Sequence, residues 1–559
     1  MKPHPLLSRV CPPAGREVPF FLLALAAATT AIFAEYAPAN PRLSPGGVEP
    51  RPVVTSITAT TNQVSVSWTG FEGPFQLEQK ADLQSDPWTS VGGPTNGFSL
   101  TMPQNAHPNF FRVSAPPPGF ASADTCLACH DDVHAEWSKT AHAGALEALK
   151  KIGQSTNTEC LACHTAGYGL PSGYQDETTS PMLAGVQCEN CHGPAAQHVK
   201  NIGVASKRPV LRPDSEMCGG CHNGDQHPTY APTYDEWNSS LHAKVNEDVA
   251  VGFLDANPTN SVNRMNSCGA CHSGAVRLAM VKSAEKNEPL ELPSGEQAAG
   301  VAITCTVCHD PHEQTAYPAQ LRYPVASLKP YTYFAATNFA KQYDPEVNVC
   351  GQCHNSRGAQ WKDTSRSPHH SPQYNMVIGS GGYVETTTVP QAAHQSLVTN
   401  QCVQCHMQTI TAANPTPANP NCTGHSYEVK MTACAPCHTE SRATSKVRGT
   451  QADIQQRLDD LKNLLNTWAT TQAGSALSKY GQYAWEYSTA GDVSNPNGDP
   501  NIKGPVSADQ AKIPDGIKQA RYNLYLVAHD GSYGVHNGKY ARYLLQVAED
   551  KVNALLAAP

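Results

Sequence analysis

The run CTVCH at residues 305 to 309 decides how this chain is read. Cys305 and Cys308 stand two residues apart, and His309 follows at once. This is the attachment signature of c-type haem. The two thiols add across the haem vinyl groups, and the histidine becomes the proximal ligand of the iron. The pentapeptide recurs at Cys126-Cys129-His130, Cys160-Cys163-His164, Cys188-Cys191-His192, Cys218-Cys221-His222 and Cys268-Cys271-His272. Past His309 it appears again at Cys350-Cys353-His354, Cys402-Cys405-His406 and Cys434-Cys437-His438. The nine copies use 18 of the 20 cysteines. With 20 Cys and 23 His in 559 residues, random placement gives about 0.03 such pentapeptides. Zinc half-sites share the C-x-x-C spacing, but they combine in twos and nine is odd. Neither zinc nor disulfides give a reason for the histidine after every second cysteine. The expected cofactor is therefore nine covalently attached haems c with their iron.

The composition agrees. Hydrophobic residues make up 40% of the chain and charged residues 15%, while 45 prolines and 41 glycines favour turns. Such a chain is poorly supplied for a conventional core, and haems give its side chains large apolar faces to pack on. Cys126 to His438 spans 313 residues for nine motifs. The expected fold is mainly α with much irregular loop, a multihaem cytochrome c architecture, with a small N-terminal β-sandwich and a C-terminal helical segment. The net charge of −8, made more negative by haem propionates, gives no electrostatic case for nucleic acid.

Residues 1–34 read as a secretory signal peptide. Arg9 and Arg16 precede an apolar run from Pro19 to Ala34 that ends in the small-x-small pattern Ala-Ile-Phe-Ala. The run is shorter than the roughly 20 residues of a membrane span. Export fits haem attachment outside the cytoplasm and places the protein in the periplasm or at the cell surface. Cys11 and His4 would leave with the signal.

Residues 35–50 read as a linker rich in Pro and Gly. Residues 51–115 alternate apolar and polar at Val64, Val66 and Trp68, at Phe75 and Leu77, and at Phe98 and Leu100, with glycine and proline turns between. This predicts a small β-sandwich that resembles fibronectin-type modules. It serves either as a spacer or as a docking element for the cell surface or for another copy of the chain. Pro116-Pro117-Pro118-Gly119 closes it as a stiff linker.

Residues 120–445 form the nine-haem region. A local repeat, W-x4-HA, occurs at Trp137–His142 and again at Trp237–His242. A tryptophan to pack on a porphyrin, with a histidine one helical turn later, predicts a distal ligand carried on a helix. Residues 446–559 read as helices that pack on the haem region. Ile454, Leu458, Leu461, Leu465 and Trp468 step by three and four. Thr450 with Asp453 predicts the start of that helix. Two more helices are predicted at Ile517–Ala528 and Lys539–Leu556, with His536 in a glycine-bracketed turn between them.

Iron held by two histidines is closed and carries electrons, whereas iron with one free side binds substrate. After the nine proximal histidines, the signal's His4 and the β-module's His107, twelve histidines remain. The expected distal ligands are His142, His198, His227, His242, His312, one of His369 and His370, His394, His425 and His536. His134 and His529 are spares. His312 stands three residues from His309 and is too tightly tethered to reach its own iron, so it should serve a neighbour. Cys422 is the one mature cysteine outside the motifs and reads as a quiet buried thiol.

The motifs resemble those of the superfamily that contains the tetrahaem cytochromes of ammonia oxidisers, octahaem hydroxylamine oxidoreductase and pentahaem nitrite reductase. The W-x4-HA elements, CENCHGPAAQH at 188 to 198 and CTVCHDPH at 305 to 312 carry the likeness. From Cys268 onward the motif order and the final GVHN resemble the pentahaem reductase. The resemblance implies two readings. One is a wire of bis-histidine haems that exchanges electrons with other cytochromes or with a membrane quinol-linked donor. The other is an oxidoreductase for a small nitrogen or sulfur oxyanion, acting at the haem of Cys268. There the resemblance would give Arg322 and His369 or His370 catalytic roles. The reductases' CxxCK lysine is replaced here by His272.

Overall fold

The structure, a computed structural model, describes residues 52–60, 62–69, 75–81, 88–95, 99–103, 110–114, 119–170, 172–210, 214–224, 231–315, 318–322, 349–398, 401–416 and 418–558. The expected signal peptide and linker, His107, His227, Phe98 and the 116–118 proline run lie outside the described residues. The chain divides into two units that interleave in sequence. The first contains 1–239, 304–320 and 409–425, and the second contains 240–303, 321–408 and 426–559. The motifs beginning at Cys126, Cys160, Cys188, Cys218 and Cys305 fall in the first unit, and those at Cys268, Cys350, Cys402 and Cys434 in the second.

In the first unit six strands build the β-module: β1 (Val53–Ala59), β2 (Gln63–Thr69), β3 (Phe75–Lys80), β4 (Thr89–Thr95), β5 (Ser99–Pro103) and β6 (Phe110–Ser114). They form two antiparallel three-stranded sheets in the orders β1-β2-β5 and β4-β3-β6. Alternation explains the core. Val64, Val66 and Trp68 of β2 and Phe75 and Leu77 of β3 point inward, joined by Met102, Phe111 and Val113. Trp68 meets Phe75 edge-on with ring centres 6.1 Å apart.

Apart from the 13-residue helix Gly274–Lys286 of the second unit, the haem region of each unit consists of helices of one or two turns joined by loops. Regular structure is short because each motif needs only one turn and the segments between motifs are rich in turn-formers.

Three long helices end the second unit: α1 (Glu440–Thr471), α2 (Asp515–His529) and α3 (Gly538–Leu556). Their core includes Ile454, Leu458, Leu461, Leu465, Trp468, Leu524, Leu526, Leu544 and Val552. The expected start at Thr450 is corrected. The α1 cap is Thr439, directly after His438, and its side chain accepts from the Arg442 N–H. The boundary expected at 446 therefore falls inside a helix. Gly449 costs about 1 kcal/mol in a helix interior, and the buried row from Ile454 to Trp468 outweighs it. Leu461→Ala is expected to cost about 2–5 kcal/mol, because Leu461 has no exposed surface and its loss leaves a cavity in a packed core. Thermal or denaturant unfolding checks this. Among the described residues no helix is long and apolar enough to cross a membrane.

Candidate haem sites

Each motif is one helical turn. In the motifs of Cys126, Cys218, Cys305, Cys350 and Cys434, the histidine amide donates to the first cysteine's carbonyl at 2.9 Å. The motifs of Cys160, Cys188 and Cys402 lie in the helices Thr158–His164, Cys188–His192 and Gln401–His406. Cys268 lies in a π-helical turn, Met265–Gly269, and His272 in the turn after it. Residues at i, i+3 and i+4 of a helix share one face. Both thiols and the imidazole of a motif therefore address one ligand, which is why this spacing works without help from the rest of the fold.

The chain also sets the imidazoles' tautomer. The Nδ1 of His164 lies 2.8 Å from the Ala145 carbonyl oxygen, that of His309 2.7 Å from Ala319 and that of His406 2.9 Å from Tyr427. A carbonyl only accepts, so Nδ1 carries the proton and Nε2 keeps its lone pair for a metal.

Six of these histidines face a second imidazole. The pairs are His142–His222 (ring centres 6.1 Å apart), His192–His312 (6.0 Å), His242–His354 (6.1 Å), His272–His369 (5.9 Å), His309–His425 (6.2 Å) and His406–His536 (6.3 Å). A metal–nitrogen bond of about 2 Å on each side, with about 1 Å more to each ring centre, puts two trans imidazoles about 6 Å apart. Every pair lies within one unit. Burial favours the neutral ligand form. It pushes His242 down to about 4, helped by His354, and pushes His369 down to about 3, helped by Arg357, His272, His370 and Arg366. Burial also lowers His142, His272, His406 and His425.

The loops that present the second imidazoles are held by buried carboxylates. The Glu236 carboxylate accepts from the amides of Thr423 and His425 and from the Thr423 hydroxyl, at 2.7 to 3.2 Å. A bridge between Ile410 and Cys422 closes the base of that loop, and Cys422 is buried in it. His536 donates from Nδ1 to Asp530, 2.6 Å away. Burial alone would lower His536, but the Asp530 carboxylate outweighs it and the net shift is upward. The turn before His536 lies flat on α1. Gly534 has φ +87°, and a Cβ there would come within 2.8 Å of Ile454. Glu236 and Asp530 escaped the sequence reading because their partners lie far away in sequence or look like ordinary loop residues.

The two W-x4-HA segments deliver His142 and His242 to pairs, although not on a continuing helix. The helices end at Trp137 and Ser239, and the histidines sit in the turns that follow. His312 faces His192, a neighbouring motif's histidine. Of the adjacent pair, His369 faces His272, while His370 stacks on His529 at 3.8 Å. His130, His164 and His438 stand in none of the six pairs. His394 is held at Nδ1 by the Val535 carbonyl. Among the described residues, buried nitrogens of His134, His198 and His438 lack a hydrogen-bond partner, as do Arg264 Nε and Arg277 Nη1. Arg322 is ion-paired with Glu285 at 3.1 Å. The arginines whose charge acts on His272 are Arg357 and Arg264.

Neighbouring motifs touch through their thiols. In the first unit Cys126 lies against Cys188, Cys163 against Cys221 and Cys218 against Cys305. In the second, Cys271 lies against Cys353 and Cys350 against Cys402, and Cys405 feels Cys434. The donor sets fit haem c: paired thiols, an imidazole on the same turn and, in six cases, a second imidazole facing it. The orphaned arginine nitrogens fit propionates.

Known proteins agree with this chemistry. Residues 125–193 match the family described as cytochrome c554 and c-prime, and residues 180–327 match outer membrane cytochrome MtrC/MtrF-like, domains II/IV. Cytochrome c-554 of Nitrosomonas europaea is 37% identical over 156 residues, covering 22% of this chain and 63% of that protein. The polyhaem cytochrome OmcB of Geobacter sulfurreducens is 24% identical over 338 residues, covering 53% of this chain and 38% of that protein. The chain thus spans less than two thirds of the length of these curated relatives. Among solved structures, the outer cell wall cytochrome OcwA aligns over 78% of this chain and 99% of its own, at 20% identity and a TM-score of 0.47. An undecahaem cytochrome from the S-layer of Carboxydothermus ferrireducens aligns over 79% of this chain and 70% of its own, at 18% identity and a TM-score of 0.44. The chain is a multihaem c-type cytochrome with several covalently attached haems. Parts of it are similar to cytochrome c554, to outer membrane MtrC/MtrF-like cytochrome domains and to the polyhaem cytochrome OmcB.

Proposed function

We propose that this protein is an exported nonahaem cytochrome that carries electrons at the cell surface. The six facing histidine pairs are the observation that supports it: with haem bound, each pair would supply two imidazoles to one iron and leave it no position for substrate. Bound there, haem supplies a one-electron Fe(III)/Fe(II) couple. The protein's part is to keep His242 and His369 neutral by burial, to turn the Nε2 of His164, His309 and His406 outward by holding Nδ1 on a carbonyl, and to bring the cysteines of adjacent motifs close together. His198, His227 and His394 are the proposed second ligands for the haems of His130, His164 and His438. A surface location is favoured by the outer membrane, cell wall and S-layer descriptions of the relatives. Other cytochromes or a quinol-linked membrane donor are the proposed partners, and the β-module is a proposed docking element.

The reductase alternative places an oxyanion at the haem of Cys268, where Arg264 and Arg357 supply positive charge. Against it stands His369, whose ring faces His272. Electron paramagnetic resonance on the oxidised protein, with and without nitrite or hydroxylamine, separates the two. Only low-spin signals, unmoved by either ligand, are expected. A high-spin signal from about one iron in nine that shifts with ligand would overturn the carrier reading.

A further inference from the structure

His529, at the end of α2, is buried, with 2% of its side chain exposed. Its Nδ1 lies 2.7 Å from the Pro368 carbonyl oxygen and its Nε2 lies 2.8 Å from Asp492 Oδ1. Both neighbours accept hydrogen bonds, and a neutral imidazole has only one N–H. With that N–H on Nδ1 and given to the carbonyl, the Nε2 lone pair points at a carboxylate, which requires a cation between them. A third group converges on the same point. His370 Nε2 lies 4.0 Å from the same Asp492 oxygen. The ligand atoms of His370, Asp492 and His529 all lie within 4.8 Å of one another.

We infer that His370, Asp492 and His529 form a binding site for one divalent first-row transition-metal ion, of the zinc or copper(II) class, separate from the haems. Two imidazoles and a carboxylate suit such ions and do not suit calcium or magnesium, which take oxygen ligands. Ligand atoms about 2.1 Å from one zinc at a tetrahedral angle lie about 3.4 Å apart. The observed 2.8 and 4.0 Å separations bracket that value. The His370 ring lies stacked on His529 with centres 3.8 Å apart, and its exposed side chain has to turn to aim Nε2 at the ion. The carbonyl of Pro368 on Nδ1 of His529 is the outer partner that metal-bound histidines ordinarily have. His529 is a fixed inner wall, while His370 and Asp492 are 63% and 51% exposed and form an open mouth. A fourth position remains for water or for a ligand from a partner.

The site adjoins a haem position. His369 and His370 are consecutive, with ring centres 6.4 Å apart. The pair SPHHSPQ thus sends one histidine to each of two centres.

The test uses the full haem-loaded protein, stripped with chelator and desalted. Zinc is titrated by calorimetry, and retained zinc is measured against iron by mass spectrometry. One tightly held zinc per chain is expected. His370→Ala and Asp492→Asn should each weaken it by at least about tenfold, since even loss of an outer partner acts on that scale. Both residues are exposed, and an unchanged haem spectrum shows that the variants fold. Copper(II) at the same site should show nitrogen hyperfine structure in its resonance spectrum, and His370→Ala should reduce it. If the parent holds no zinc, or the parent and both variants hold it equally, the site is overturned. The cation on His529 is then a proton and the contact a plain imidazolium–carboxylate pair.

Discussion

His242→Ala is expected to open one haem and leave the others closed. His242 faces His354 with ring centres 6.1 Å apart, and Tyr427 packs edge-on against it at 4.4 Å. In the proposed pairing it is the second ligand of the haem bound at Cys350 and Cys353. Alanine leaves that iron with one imidazole and a cavity opposite. A high-spin signal should appear, equal to about one iron in nine, and the low-spin signal should fall to match. The open iron should take up cyanide or nitrite, and added imidazole should fill the cavity and restore the low-spin state. The position carries a second consequence. The Cys353 thiol lies against Cys271 and the Cys350 thiol against Cys402, so this haem stands between two others. Changing its axial ligand changes its potential and should slow electron passage between the flanking haems, read by stopped-flow reduction. A spectrum that stays entirely low-spin would remove His242 from the ligand set.

Arg277→Met should lower the reduction potentials of the haems at Cys268 and Cys350 and destabilise the second unit. Arg277 lies on the helix Gly274–Lys286, just after His272, and is 5% exposed. Its Nη2 donates to the Gln352 side chain, while its buried Nη1 has no partner among the described residues. Its charge acts on the Cys271 and Cys353 thiols, which places it at both motifs. A buried cation without an anion is costly, and a haem propionate would supply the missing charge. Positive charge near iron favours the reduced state, so its removal lowers the potential. A shift on the order of tens of millivolts follows from one charge at haem distance in a medium of intermediate dielectric. Leaving the propionate unpaired adds about 3–5 kcal/mol of destabilisation. Spectroelectrochemical titration and thermal unfolding measure the two effects. An unchanged distribution of midpoints would place Arg277 away from any propionate.

What the sequence determined by itself is everything set within one turn of chain. Cys305, Cys308 and His309 fall on one helical face because of their spacing alone, and the same holds for the other eight motifs. The inward row Val64, Val66 and Trp68 and the stripe from Ile454 to Trp468 were legible for the same reason, since burial repeats with the local period. The start of α1 was not. A cap at Thr439 and one at Thr450 look alike locally, and the packing of Ile454 and its neighbours chooses between them. The tertiary structure alone decided which imidazoles meet. His242 and His354, or His406 and His536, are separated by more than a hundred residues, and no local pattern joins them. Adjacent His369 and His370 are chemically identical in sequence, and only the surrounding chain sends one to His272 and the other to Asp492 and His529. Attachment is a property of a pentapeptide, whereas closing an iron requires two distant segments to be held about 6 Å apart, and that takes a folded core.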